Sequence, residues 1–197
     1  MVVTLDWNRW VESKTEEGKK IKIQILDNDW WTDCGYLVSL LRPVVEVIHY
    51  TDTDSPTLGE IYQTFDSMLD QVRVAIREKD PSLEFYMTQI RPIIQRRWDR
   101  MNTPLHMVAY ALNPKWYVER TGRILPIEDP EVKKGFRAAI TKMYSSEGRT
   151  IRRQWMQFAS LSGPFNKPNA REDRNDLGQT DPIGWWTMHG DEAPEIQ

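Results

Sequence analysis

Arg97-Trp98-Asp99, followed by Pro104-Leu105-His106-Met107-Val108-Ala109-Tyr110-Ala111-Leu112-Asn113-Pro114, is the stretch whose reading decides the fold. Leu105 to Leu112 reads as a short helix that must end before Asn113-Pro114, because a residue preceding proline is pushed out of helical geometry. His106 faces Tyr110 one turn later, which suits a hydrogen-bonded packing role. Trp98 has Ile93, Ile94, Leu105 and Val108 nearby in sequence, so it is expected as a buried anchor between helices rather than a ring for stacking on bases. The helix that carries it opens at Asp80-Pro81, a cap followed by proline at the first helical position, and Pro92 should disturb it.

On the amino-terminal side, Thr57-Leu58-Gly59-Glu60 reads as a capping box. Behind it Ile61, Phe65, Leu69, Val72 and Ile76 follow helical steps and are expected to be buried, in what should be the longest regular helix. Further back, Trp30-Trp31 leads into an apolar stripe through Tyr36, Leu37, Leu40, Leu41, Val44 and Ile48. Pro43 is expected to kink or break that helix near Leu40. Residues 1–26 are mixed, with a short sheet at most and a lean toward helix over Lys19 to Leu26. On the carboxyl-terminal side, Thr121 to Ile127 reads as a loop. Asp129-Pro130 then starts a helix with Val132, Phe136, Ala139, Ile140 and Met143 inward. Arg149 to Leu161 is another helix, with Ile151, Trp155, Phe158 and Leu161 inward. Asn166 to Thr180 is polar and reads as linker or surface loop, and Asp181-Pro182 starts a short helix carrying Trp185-Trp186. Pro194 to Gln197 looks like a first helical turn that would expose Ile196 unless something covers it. The expected fold class is mainly α, about seven helices with little or no sheet.

Composition agrees with a folded, water-facing chain: 197 residues, 40% hydrophobic and 28% charged, with nine tryptophans that read as core anchors. A single cysteine, Cys34, excludes an internal disulfide framework and is expected as a buried thiol. No run approaches the apolar length of a membrane span, and the start lacks a secretory pattern. A net charge of −3 argues against a uniformly basic surface, though not against local patches.

Catalytic chemistry is sparse. His49, His106 and His189 lack a second metal ligand at helical spacing. The acidic stretch from Asp52 has threonine where a calcium loop needs its glycine, and Gln63 where it needs glutamate. Glycine-rich phosphate loops and nucleophile elbows are absent from the sequence, and no cofactor or metal is expected. Two basic clusters are the candidate nucleic-acid contacts: Arg91, Arg96, Arg97 and Arg100 around Trp98, and Arg149, Arg152 and Arg153 on the later helix.

The Arg97-Trp98-Asp99 and Pro104 to Pro114 blocks, together with Leu41-Arg42-Pro43-Val44-Val45, Pro56 to Tyr62 and the Trp185-Trp186 helix, resemble plant transposase-like proteins of the hAT superfamily. In that family an RNase H-like catalytic core is interrupted by a helical insertion, and the matching residues lie in the insertion and just after it. The resemblance implies an insertion-like domain over residues 1–162, a linker over 163–180, and the start of a carboxyl-terminal dimerisation region over 181–197. It also implies that Trp98, Asp99, Pro104, Leu105, His106, Leu112, Asn113, Pro114, Trp185 and Trp186 are structural signature residues. The family's three catalytic carboxylates are expected outside Met1 to Gln197, and none maps onto a position here. The chain is therefore expected to be a non-catalytic remnant or fragment, not an enzyme as given. Its expected roles are dimerisation with transposase-like chains and weak non-specific DNA association, in the nucleus and away from membranes. The alternative is part of an active cut-and-paste transposase completed by segments beyond this chain.

Overall fold

The computed structural model describes residues 2–118, 124–144, 148–176 and 181–197, and among these the chain is mainly helical with no β-strand. Among the described residues, ten α-helices and four short 3-10 segments are distributed over two compact units. Residues 1–48 and 68–87 make the first unit; residues 49–67 and 88–197 make the second. The single insertion-like domain expected over 1–162 is thus divided. Helix α4 (Ile61–Lys79) gives its first turns to the second unit and the rest to the first.

The first unit holds α1 (Leu5–Arg9), α2 (Glu16–Ile25), most of α3 (Asn28–Thr51) and the later turns of α4. Each start has a side-chain cap, which satisfies amides that the helix itself leaves without partners. Thr4 accepts from Trp7 N–H, Thr15 from Gly18 N–H, and Asp27 from the amides of Asp29 and Trp30. The indole of Trp31 donates to the Ile25 carbonyl at 2.7 Å and fastens the corner between α2 and α3. Lys79 on α4 reaches Asp33 at 3.8 Å and lies over the Tyr36 ring, joining α3 to α4. Val47, Met68, Leu69, Val72 and Ile76 are buried.

Two expectations are corrected here. Pro43 does not break α3, which runs unbroken for 24 residues and is longer than the 19-residue α4. Proline removes one ladder bond, but Pro43 is itself buried beside Val47, and that packing offsets the lost bond. Cys34 is half-buried on α3 rather than sealed in a core.

The second unit is built on α5 (Met87–Met101), α6 (Pro104–Ala111), α7 (Pro130–Met143), α8 (Gly148–Ala159), α9 (Pro168–Asn175) and α10 (Pro182–His189). The Asp-Pro starts behave as read: Asp129 accepts from the amides of Glu131 and Val132, and Asp181 from Gly184. Asp80 caps a 3-10 turn over Pro81–Tyr86, which leads into α5, and α5 continues across Pro92. α6 packs closely on α7, where a Cβ on Gly135 would collide with Met107. The proposed capping box at Thr57 is replaced by a turn, because α4 begins only at Ile61 and the Glu60 carboxylate pairs with Lys115 at 2.7 Å. Phe65 is half-buried and Met143 is exposed, whereas the other inward positions read for α4, α7 and α8 are buried up to Phe158. Leu161 lies beyond the end of α8 in the left-handed region at φ 47° and is half-buried.

The largest departure is at residues 163–180. Their described part, 163–176, is no linker but a 3-10 turn and helix α9, with Phe165, Ala170 and Arg174 buried. The final residues of that expected linker, 177–180, lie outside the described residues, as does 121–123 of the expected loop. Ile196 is also corrected, since it is only 7% exposed. The last residues fold back onto the unit, and the Gln197 amide donates to the Trp186 carbonyl at 3.1 Å. Gly190 leaves room for that return, for a Cβ there would sit 2.9 Å from Gln197 Cδ.

Candidate functional site

Of the signature residues, Trp98, Asn113, Pro114 and Trp185 are buried in the second unit, while Asp99, Pro104 and Leu105 are exposed. Trp98 is 5% exposed; its indole N–H donates to Glu131 on α7 at 3.2 Å, and its ring lies 4.9 Å from Phe65 and 5.8 Å from Tyr62. Aromatic rings of α4 thus flank it, while of the apolar residues expected around it Ile93 and Leu105 are exposed and Ile94 and Val108 half-buried. His106 Nδ1 accepts from the Thr103 amide at 3.1 Å and so closes the start of α6 in the place a glutamate takes in a capping box. Pro104 is the exposed first residue of α6, and Asp99 accepts from Gln95 one turn away. Asn113 accepts from the Lys115 amide and donates to the Gly59 carbonyl at 3.3 Å, which also receives the Trp116 indole at 2.7 Å. Pro114 is buried beside it. Trp186 donates to the Leu112 carbonyl at 2.7 Å, tying α10 to the end of α6.

Around Trp185 lies a feature that the sequence reading missed. Arg174, 2% exposed, has its guanidinium 4.6 Å from the Phe158 ring, 5.2 Å from Trp185 and 5.3 Å from Tyr117. Its Nη2 donates to the Phe158 carbonyl at 2.6 Å, and its Nε has no hydrogen-bond partner. Burial pulls its pKa down to about 10. Trp185, fully buried, donates to the Ala170 carbonyl, and its neighbour His189 pairs with Asp173 at 2.7 Å. The one available signal was the i, i+4 spacing of Ala170 and Arg174 behind Lys167-Pro168, which places both on one helix face. Among the described residues no group of three or more His, Cys, Asp or Glu side chains could hold a metal ion.

Tyrosine hydroxyls complete this interior. Tyr62 donates to Asp129 at 2.9 Å, while Tyr117 donates to the Ala111 carbonyl at 2.7 Å and accepts from the Trp155 indole. Burial foremost pushes the Tyr62 and Tyr117 hydroxyls well above the ordinary tyrosine range. Burial, then Glu60, raises Tyr50 to about 12. A raised folded-state pKa contributes stability that is intact below the unfolded value of about 10 and is lost as pH rises through the folded value. The melting temperature is therefore expected to fall between about pH 10 and pH 12, and to fall less steeply in Tyr62→Phe. Circular-dichroism melts across that range check this; an equally steep fall in Tyr62→Phe would contradict it.

The arginines remain on the surface. Arg96, Arg97 and Arg100 share one side of α5, but Arg91 falls on another at 100° per residue, so the four do not form one patch. Arg149, Arg152 and Arg153 do come together, along a groove of about 630 Å³ also lined by Leu125, Ile127 and Met156. No helix among the described residues is long and apolar enough to cross a membrane.

The first unit is different in kind. Trp10, Ile21, Ile23 and Leu26 are exposed ahead of α3, and α3 itself exposes Trp31, Leu37, Leu41 and Val45. Leu37, Leu41 and Val45 leave 53, 48 and 46% of their surface open. Leu37, Leu41 and Val45 follow steps of four, so these exposed side chains lie along one side of α3. Compared with known proteins, the chain matches no family model, no curated protein and no solved structure.

Proposed function

We propose that this chain is a non-catalytic interaction module of the hAT transposase type. The second unit serves as a scaffold, and the apolar face of the first unit binds a protein chain. The observation that carries this reading is the contiguous exposure of large apolar side chains on α3. The signature residues support the scaffold half, since Trp98, Asn113, Trp185 and Trp186 each donate a hydrogen bond across the second unit. The test is binding of the dye bis-ANS to the native protein at low concentration. Wild type should bind it strongly, and Leu37→Ser/Leu41→Ser/Val45→Ser should lose most of the signal with its helical content intact. Unchanged binding in the variant would contradict the reading.

DNA association is secondary. Arg149, Arg152 and Arg153 would contact phosphates without reading bases, so affinity should fall steeply with salt and show no sequence preference. Replacing all three with alanine should flatten the salt slope by about 2–3. With manganese and transposon-end DNA the chain alone should leave strands intact, because strand transfer needs carboxylates held to clamp two ions. Reproducible cleavage, abolished by a carboxylate substitution within this chain, would overturn that expectation.

A further inference from the structure

Within the second unit, side chains of α6, α7, α8 and the closing residues line a cavity of about 250 Å³. Phe136, Ala139, Ile140, Ile151 and Ile196 on its lining are buried, while Leu105 and Met143, also on it, are exposed, so solvent reaches the cavity past them. A cavity of about 150 Å³ takes benzene, so this one has room for a body of about ten non-hydrogen atoms. Its polar end is unbalanced. Among the described residues Glu195 is the one charged side chain on the lining, and it forms no ion pair; its carboxylate accepts from Gln154 Nε2. Gln154, one turn beyond Ile151 on α8, is 6% exposed, and its Oε1 has no hydrogen-bond partner. Turning the amide over would set that oxygen against the carboxylate, so the orphan is not removed by a flip. A carboxylate without a cation and a buried amide oxygen without a donor therefore meet beside an apolar space.

We propose that this cavity binds a small apolar molecule carrying a protonated amine. Its body lies against Phe136, Ile140 and Ile151, and its ammonium sits between the Glu195 carboxylate and the Gln154 amide oxygen. A protonated amine offers donors and no acceptor, which is what two unmatched acceptors require. Bonds from a charged donor to a carboxylate are also the stronger kind. An anion would meet like charge, and a neutral body of the same shape would leave the carboxylate without its cation. Apolar walls with a few placed polar groups are the general make-up of small-ligand sites. The segment that carries Glu195 is fastened on both sides. Lys167 pairs with Glu192 at 2.7 Å, Ala193 is fully buried, and the Gln197 amide donates to the Trp186 carbonyl at 3.1 Å. The site does not depend on the open side of α3 and stands or falls apart from it.

Methyl-labelled full chain, titrated with phenethylamine into the millimolar range and followed by NMR, tests this. The methyl signals of Ile140, Met143, Ile151 and Ile196 should shift together, while those of Met156 and Met188, outside the lining, stay in place. Phenethyl alcohol keeps the body and lacks the charge; it should bind about tenfold or more weakly. Phenylacetate, of the opposite charge, should leave the four methyls unmoved. Glu195→Gln, with helical content unchanged, should weaken the amine about tenfold and leave the alcohol as it was. Absence of any shift at the four lining methyls, or shifts at Met156 and Met188 alone, would overturn the site. Alcohol or phenylacetate binding wild type as tightly as the amine would overturn the ammonium's place in it, a result that needs no variant. Undiminished amine binding by a folded Glu195→Gln would overturn the part given to Glu195.

Discussion

Replacing Arg174 by alanine should destabilise the protein by about 3–5 kcal/mol, and replacing it by methionine by no more than about 1–2 kcal/mol. Arg174 is a buried cation held by one carbonyl and by the faces of Phe158, Tyr117 and Trp185, with its Nε left without a hydrogen-bond partner. Removing the side chain leaves a cavity under three aromatic rings and strips the Phe158 carbonyl of its shorter bond, leaving only the one from the Leu161 amide. Methionine keeps most of the volume, suits aromatic surroundings, and brings no charge whose burial must be offset. Lysine should do as badly as alanine, because a compact, strongly hydrated ammonium cannot stack its plane on the rings. Denaturant unfolding of the three variants gives the order directly. Lysine near wild type with methionine as poor as alanine would mean that the charge, not the packed plane, holds this region together.

Trp98→Ala is expected to cost about 3–5 kcal/mol, the range for buried aromatic-to-alanine changes. The indole fills the space between α4 and α7, with Phe65 and Tyr62 on one side and the Glu131 carboxylate on its N–H. Trp98→Phe separates the two contributions, retaining most of the ring area and losing only the hydrogen bond, for about 1–2 kcal/mol. A loss under about 1 kcal/mol for alanine would mean that the indole is solvent-facing, and would restore a nucleic-acid role for the arginines around it.

Those two residues show where the sequence speaks and where it stops. Trp98 was legible because a tryptophan in a helical pattern has few places to go but inward, although its neighbours turned out to be aromatic rings of α4, a long-range fact that local spacing cannot carry. The Asp-Pro caps at Asp129 and Asp181 were legible because capping is decided within three residues. Arg174 was not. A stretch such as Pro168-Asn169-Ala170-Arg171-Glu172-Asp173-Arg174 reads as wet by composition, and only a cage assembled from Tyr117, Phe158 and Trp185 makes its helix worth burying. Pro43 misled in the opposite sense, since its helix penalty is local while the packing that offsets it is tertiary. Of the proposed binding surface, the apolar stripe on α3 was visible as a helical period, but period alone cannot tell a buried side from an open one. Ile196 is the converse case, expected open and found covered by its own chain.

The account stands on the proposal that the apolar side of α3 is an open interaction surface. Carbene footprinting of the native chain measures it most directly. Labelling of Trp31, Leu37, Leu41 and Val45 should be high, while the buried Trp185 stays unlabelled. Weak labelling of all four α3 side chains would contradict the account.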